Sequence, residues 1–329
     1  MNTKDELIDG AVLYLRIYLL GMPALGLYNF GNAVLSAAGD TKRPLYYLAF
    51  AGVVNVILNL FFVIVCHLGV AGVALASMIS QFISAFLILR ALLTGKEKYC
   101  LRLSEIRFDK RKAVGILQIG IPSAFQYSLF AFANLFVQSS VNSFDHVLVE
   151  GNSAAANADP LVYDMMAAFY TACSSFIAQN FGARKKKRIL QTYLICLFYS
   201  FITSLVLGVG IYLARYPFLY LFTSDKAVVE AGITRLSIMA LSYSASAFMD
   251  ASIAASRGLG KTAVPTFVVV MGSCVFRIIW IYTIFAYFHT IQSLYILYVF
   301  SWGITAIAEN IYFFHVYRHT LTGKTESHF

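Results

Sequence analysis

A few ionisable and amide side chains sit inside runs that are otherwise apolar, and these are the groups able to do chemistry. On insertion scales a charge at the centre of a bilayer costs about 2.5–3.5 kcal/mol, so each one present needs a reason. Asp250 is the sharpest: it lies seven residues before Arg257, deep in the apolar run 230–256. A carboxylate there can hold a proton, bind sodium or attract a cationic molecule; the plainer role is a hydrogen bond to a neighbouring helix. Glu309 lies in the last apolar run, close enough to its end to snorkel to the interface. Asp164 follows Asp159-Pro160, which reads as an N-cap and N1 pair opening the run 160–182. A carboxylate near a helix N-terminus is favoured by the backbone dipoles in any case. Arg277, one turn before Trp280, is expected to pair with Asp250 or Glu309 or to lie over an aromatic ring. Arg16 and Arg235 read as packing or interface groups.

The run 113–140 carries no acid but three amides, Gln126, Asn134 and Gln138. Steps of eight and four residues put all three on one helix face. That stripe either hydrogen-bonds to neighbouring helices or lines a cavity. The candidate set for a coupling-ion and substrate cavity is therefore Asp250, Asp164, Glu309, Gln126, Asn134, Gln138 and Arg277. The sequence contains no H-E-x-x-H and no paired Cys/His spacing, so neither a metal centre nor a catalytic residue is expected. Gly260-Lys261-Thr262 imitates a phosphate-binding loop, but its leading glycine falls at Ala255 and no strand precedes it. The five scattered cysteines read as small core residues. No cofactor is expected beyond a coupling ion.

The elements that must position these groups follow from composition. The chain has 329 residues, 59% apolar and 12% charged, with mean hydropathy +0.72, whereas soluble chains carry about 25% charged residues. About 20 apolar residues cross a bilayer, and nine runs qualify: 10–37, 45–66, 70–92, 113–140, 160–182, 189–213, 230–256, 264–287 and 291–315. An all-α polytopic membrane protein of nine transmembrane helices is expected, with kinks near Pro23 and Pro122. If alternate turns share a side, nineteen Lys and Arg fall on one side and three on the other. The positive-inside rule then places the C-terminus in the cytoplasm and the N-terminus of this chain outside, in the plasma membrane. The cluster Arg184-Lys185-Lys186-Lys187-Arg188 and the net charge of +9 serve lipid and orientation, not nucleic acid.

The chain also repeats itself. Gly39, Thr41 and Pro44 recur as Gly260, Thr262 and Pro265 at a constant offset of 221 residues, each time between apolar runs. Gly39, Asp40, Pro44, Gly260 and Pro265 are the expected structural turn residues. Runs 1–3 then correspond to runs 7–9, and runs 4–6 lack a counterpart at the front. The expected organisation is a three-helix remainder of a first bundle (1–92), a basic cytoplasmic linker (93–112), a six-helix bundle (113–318) and a cytoplasmic tail (319–329).

Several motifs carry a resemblance: Tyr14-Leu15-Arg16-Ile17, Leu27-Tyr28-Asn29-Phe30-Gly31, Gly39-Asp40-Thr41-Lys42-Arg43-Pro44 and Gly69-Val70-Ala71-Gly72-Val73-Ala74. With them come Asn55, Asn59, Ser80-Gln81, Gly120-Ile121-Pro122-Ser123, Gln179-Asn180-Phe181-Gly182-Ala183 and Arg257-Gly258-Leu259-Gly260. On these the chain resembles the C-terminal three quarters of a multidrug and toxic compound extrusion (MATE) transporter. The resemblance implies a two-bundle fold of twelve helices whose first three this chain lacks. It implies antiport of amphipathic or cationic compounds against Na+ or H+, by a monomer in the bilayer and without enzymatic activity. Sodium-linked members carry their acid about a turn earlier than Asp250, where this chain has Ser246. The alternatives are a flippase for a lipid-linked precursor, a non-transporting fragment and a membrane enzyme.

Overall fold

Hydrocarbon offers no hydrogen-bond partners to the backbone, so each apolar run must satisfy its own amides as a helix. The computed structural model describes residues 5–94 and 100–320, and the described residues form helices and turns only. Most of the expected tail, and residues 95–99 of the linker, lie outside the described residues. Among the described residues eight helical spans are long and apolar enough to cross a bilayer, and a bent pair makes a ninth when it is counted as one span. The chain divides into two compact units, the first ending at Phe108 and the second starting at Asp109.

In the first unit α1 (Asp5–Leu20) and α2 (Met22–Ala37) form the bent pair, inclined by 44°. The break falls at Gly21, and Pro23 lies in the first turn of α2, where its missing N–H costs nothing. The chain continues in α3 (Lys42–Leu60), a π turn at Phe61–Val65 and α4 (Gly69–Thr94). Packing centres on α4, against which α1, α2 and α3 all lie. Ala24, Tyr28 and Leu35 of α2 meet Ala85, Ile88 and Leu92 of α4 in the core. The Tyr28 hydroxyl donates to the Pro44 carbonyl at 2.9 Å, tying α2 to the start of α3.

The second unit comprises α5 (Lys110–Val141), α6 (His146–Ala156), α7 (Ala158–Gly182), α8 (Lys186–Leu213) and the short α9 (Arg215–Tyr220). Then come α10 (Lys226–Gly258), a span built from α11 (Ala263–Val269), α12 (Phe276–Trp280) and α13 (Ala286–Phe288) joined by two π turns, and α14 (Ile291–His319). Asp109 caps α5 by accepting from the Arg111 and Lys112 amides, and α5 runs unbroken through Pro122. The centre of the unit is α10, packed against α6, α7, α8 and α14. Its sequence explains why: Ala, Ser and Gly recur along it, and small residues let helix backbones approach where lipid gives no hydrophobic drive. At Gly208 of α8 a Cβ would collide with the Ala240 carbonyl of α10, so only glycine permits that approach.

The gap left between the apolar runs 113–140 and 160–182 implies a loop over 141–159, and the structure corrects this. Residues 141–159 are not a loop: 146–156 are helical, α7 starts at Ala158, and Asn157 occupies the N-cap position assigned to Asp159. Asp145 caps α6 through the Leu148 amide, which is why an apparently polar stretch folds as helix.

The sequence repeat is matched in the backbone. Gly39 and Gly260 both take positive φ, +91° and +75°. The Asp40 amide bonds the Leu35 carbonyl and the Gly39 amide that of Ser36; 221 residues on, Lys261 bonds Ser256 and Gly260 bonds Arg257. These are two copies of one left-handed helix stop. The spans they introduce also finish alike: each has a π turn near its end (Phe61–Val65, Ile281–Phe285), and a left-handed histidine, His67 or His289, follows after Cys66 in the first and after α13 in the second.

Candidate functional site

Helix α10 brings Arg235, Asp250 and Arg257 to the wall of a cavity of about 490 Å³ inside the second unit. Each surrounding helix contributes residues at helical steps, which is how one face meets one space. From α5 come Gln126, Phe130, Asn134 and Gln138; from α7 Asp159, Tyr163 and Tyr170; from α14 Tyr295, Tyr298 and Trp302; and from α12 Arg277. A volume in this range suits a drug-sized molecule.

All three amides lie on the cavity lining, and Gln126 and Asn134 also bond across helices. Gln126 accepts from Arg257 Nη2 at 2.9 Å, and Asn134 accepts from Arg277 Nη1 at 2.8 Å. Gln138 donates within its own helix to Asn142. Asp250 is half-buried on the cavity wall. Among the described residues it makes no hydrogen bond and no ion pair. Ser246, one turn earlier, is fully buried and bonds its own helix through the Tyr243 carbonyl.

Asp164 is exposed and lies off the cavity lining. It follows Tyr163, and one residue turns a helix by about 100°, so the two cannot share a face. Glu309 does not snorkel: it is 0% exposed, because α14 continues ten residues beyond it to His319. It also lies off the lining, and neither carboxylate oxygen has a hydrogen-bond partner among the described residues. Arg277 pairs with neither acid. Its guanidinium lies 4.6 Å from the ring centres of both Phe130 and Tyr298, and Nε donates to the Ser301 hydroxyl at 3.3 Å.

Three groups escaped the sequence reading. Asp159, taken for a cap, accepts from Arg235 Nη2 at 2.6 Å and from the Tyr243 hydroxyl. Arg235, taken for a packing group, also donates to Asn152 at 2.6 Å, so α6, α7 and α10 meet in one ion-paired cluster. Arg257, placed by the sequence just beyond the apolar run 230–256, is part of α10 and lines the cavity. The signals were present: Arg257 stands two helical turns from Asp250, and Asp159 one turn before Tyr163. The described cavity wall thus carries two acids and three arginines, and one of the acids is committed to Arg235.

Comparison with known proteins places this geometry in a family. The MatE family model matches residues 1–61 and 122–283. "Probable multidrug resistance protein YpnP" of Bacillus subtilis is 33% identical over 190 residues, 57% of this chain and 42% of that protein. The "FAD transporter" of Shewanella oneidensis is 25% identical over 224 residues, 66% of this chain and 49% of that protein. Among solved structures, a MOP superfamily transporter from Pyrococcus furiosus, described as having a binding pocket of reverse polarity, superposes with TM-score 0.91 at 21% identity. The alignment covers 98% of this chain and 73% of that one. The chain spans about half the length of the curated relatives it matches.

Proposed function

Because the chain belongs to the MatE family of membrane transporters, we propose that it takes part in secondary active export of small amphipathic compounds against Na+ or H+, with Asp250 as the coupling group. One observation carries this reading. Of the two acids on the described cavity wall, Asp159 is held by Arg235 and Tyr243, whereas Asp250 faces the space without a hydrogen-bond or ion-pair partner. A carboxylate left unpaired in a low-dielectric wall is available to a proton or a sodium ion, and loading it shifts the populations of the two transport states. Glu309, fully buried with neither carboxylate oxygen hydrogen-bonded among the described residues, is the proposed second ionisable group. Tyr163, Tyr170, Tyr298 and Trp302 supply flat apolar surface for the body of a substrate. The names of the relatives, multidrug resistance and FAD transport, fit a cavity of that kind.

Orientation is proposed from charge alone: the inner side of the plasma membrane holds the segment between α4 and α5, the turn 183–185 and the C-terminus. A monomer is proposed, as the resemblance to the family implies. The second reading, a flippase for a lipid-linked precursor, draws on the excess of arginines over free acids in the wall.

The test uses this chain reconstituted in liposomes with an imposed sodium or proton gradient. Asp250→Asn keeps size and hydrogen bonding but not the titratable charge. Gradient-driven movement of an amphipathic dye is expected to fall to the protein-free level in the Asn variant at equal incorporation. Unchanged movement would remove Asp250 from coupling.

A further inference from the structure

The cavity holds a cation without a counter-ion. Arg277 is 0% exposed and sits on the lining. Its guanidinium is clamped between Phe130 and Tyr298, with Nε on Ser301 and Nη1 on Asn134. Nη2 has no hydrogen-bond partner among the described residues, and no carboxylate there forms an ion pair with Arg277. Arginine stays protonated in proteins, and an unpaired buried charge is strongly destabilising unless something neutralises it. Two helical turns along α10 from Asp250, Arg257 gives Nη2 to Gln126 and likewise leaves Nε unpartnered. The third cavity arginine, Arg235, is already neutralised by Asp159.

We propose that this cavity binds an amphipathic organic anion, its phosphate or carboxylate drawn to the charges of Arg277 and Arg257, whose unpartnered N–H groups lie just beneath the wall, and its aromatic body lying against Tyr163 and Trp302. The inference rests on the cavity being the substrate site, and it reverses the expectation of a cationic substrate. A planar guanidinium fork matches the oxygens of either anion. The clamp of two rings and two hydrogen bonds holds Arg277 in place before anything binds, so little side-chain ordering is left to oppose association. Tyr163 meets Trp302 edge-on with ring centres 6.0 Å apart, giving a wall for an aromatic group. The volume of about 490 Å³ lies in the range of sites that take a drug-sized molecule.

Equilibrium binding to the full chain in detergent tests this, with quenching of tryptophan emission as readout, since Trp302 lies in the cavity wall and only one other tryptophan exists. Three probes separate charge from shape: riboflavin 5′-phosphate, uncharged riboflavin, and the planar cation ethidium. The phosphate ester is expected to bind at least about tenfold more tightly than riboflavin, the equivalent of one charge-assisted hydrogen bond, and more tightly than ethidium. Arg277→Gln, which retains hydrogen bonding, is expected to bring it down to the riboflavin level, and Arg277→Lys to keep part of the difference. Equal binding of the two flavins, or tighter binding of ethidium, overturns the proposal on the unmutated chain, whether or not a variant folds. Displacement of the flavin phosphate by phosphatidate but not by phosphatidylcholine transfers the site to a lipid headgroup and overturns the free-molecule assignment. No gradient enters the experiment, so its failure leaves coupling through Asp250 standing, and failure of coupling leaves the binding result standing.

Discussion

At the scale of single residues, the second unit treats its two cavity acids differently, and that difference governs what each can do. Asp159 is locked by Arg235 and Tyr243, while Arg235 is further held by Asn152 and lies 5.8 Å from the Tyr295 ring centre. Such a cluster is a structural device: three helices are held together by one guanidinium, 8% exposed. Arg235→Met would leave Asp159 without its counter-ion and is expected to lower stability by about 3 kcal/mol. Replacing both partners, Asp159→Leu with Arg235→Met, is expected to recover most of that loss, because an apolar pair leaves no charge stranded. Thermal unfolding of the detergent-solubilised chain measures both variants. A single variant that melts with the unmutated chain would show that the pair carries no stability. Asp250, with no such partner, is expected to tolerate Asp250→Asn in folding and to fail only in gradient-driven transport.

At the scale of elements, the fold depends on where helices stop and how closely they pass. The two helix stops at Gly39 and Gly260 use backbone angles that cost an L-residue about 1–2 kcal/mol. Gly39→Ala and Gly260→Ala are each expected to cost about 1 kcal/mol by the same unfolding measurement, although no atom crowds either position. Gly208 tests the other kind of constraint. A methyl there meets the Ala240 carbonyl of α10, so Gly208→Ala is expected to cost about 1–3 kcal/mol through overpacking. Gly210, two residues on in the same helix, faces open space, and Gly210→Ala is expected to be neutral or slightly stabilising. Equal melting of the Gly208 and Gly210 variants would show that α8 and α10 do not approach as described. In the span from α11 to α13 two π turns interrupt the helix around Arg277. Such turns recur at functional sites.

At the scale of the whole molecule, topology is the property that charge placement sets and that labelling can measure. Ser153 is exposed on α6, and Lys187 is exposed at the start of α8. Lys187 is the better probe than Lys186, whose ammonium is held by the Arg318 carbonyl and lies over the Tyr317 ring. In a Cys66→Ser background, which removes the one exposed native thiol among the described residues, a membrane-impermeant maleimide added outside intact cells is expected to modify Ser153→Cys and spare Lys187→Cys. The opposite pattern would invert the proposed orientation.

Much of this was legible before any coordinates. Eight of the nine apolar runs announced single spans and the first a bent helix pair, because hydrocarbon leaves helix as the only way to satisfy so long an apolar stretch. The glycine turns announced the repeat, because a left-handed helix stop demands the same residue wherever it recurs. The face shared by Gln126, Asn134 and Gln138 was legible from spacing, since one helix carries all three. What spacing along one helix could not reveal is what faces each residue from another. The partners of Arg277 lie on α5 and α14, 143 residues before it and 24 after. The partner of Asp159 lies 76 residues further on. Two neighbours in sequence, Tyr163 and Asp164, were parted by a single step around α7, one into the cavity and one away from it. A sequence lists which charges a membrane helix carries; only the packing of several helices around α10 decided which acid is neutralised, which is free, and which arginine is left without a partner.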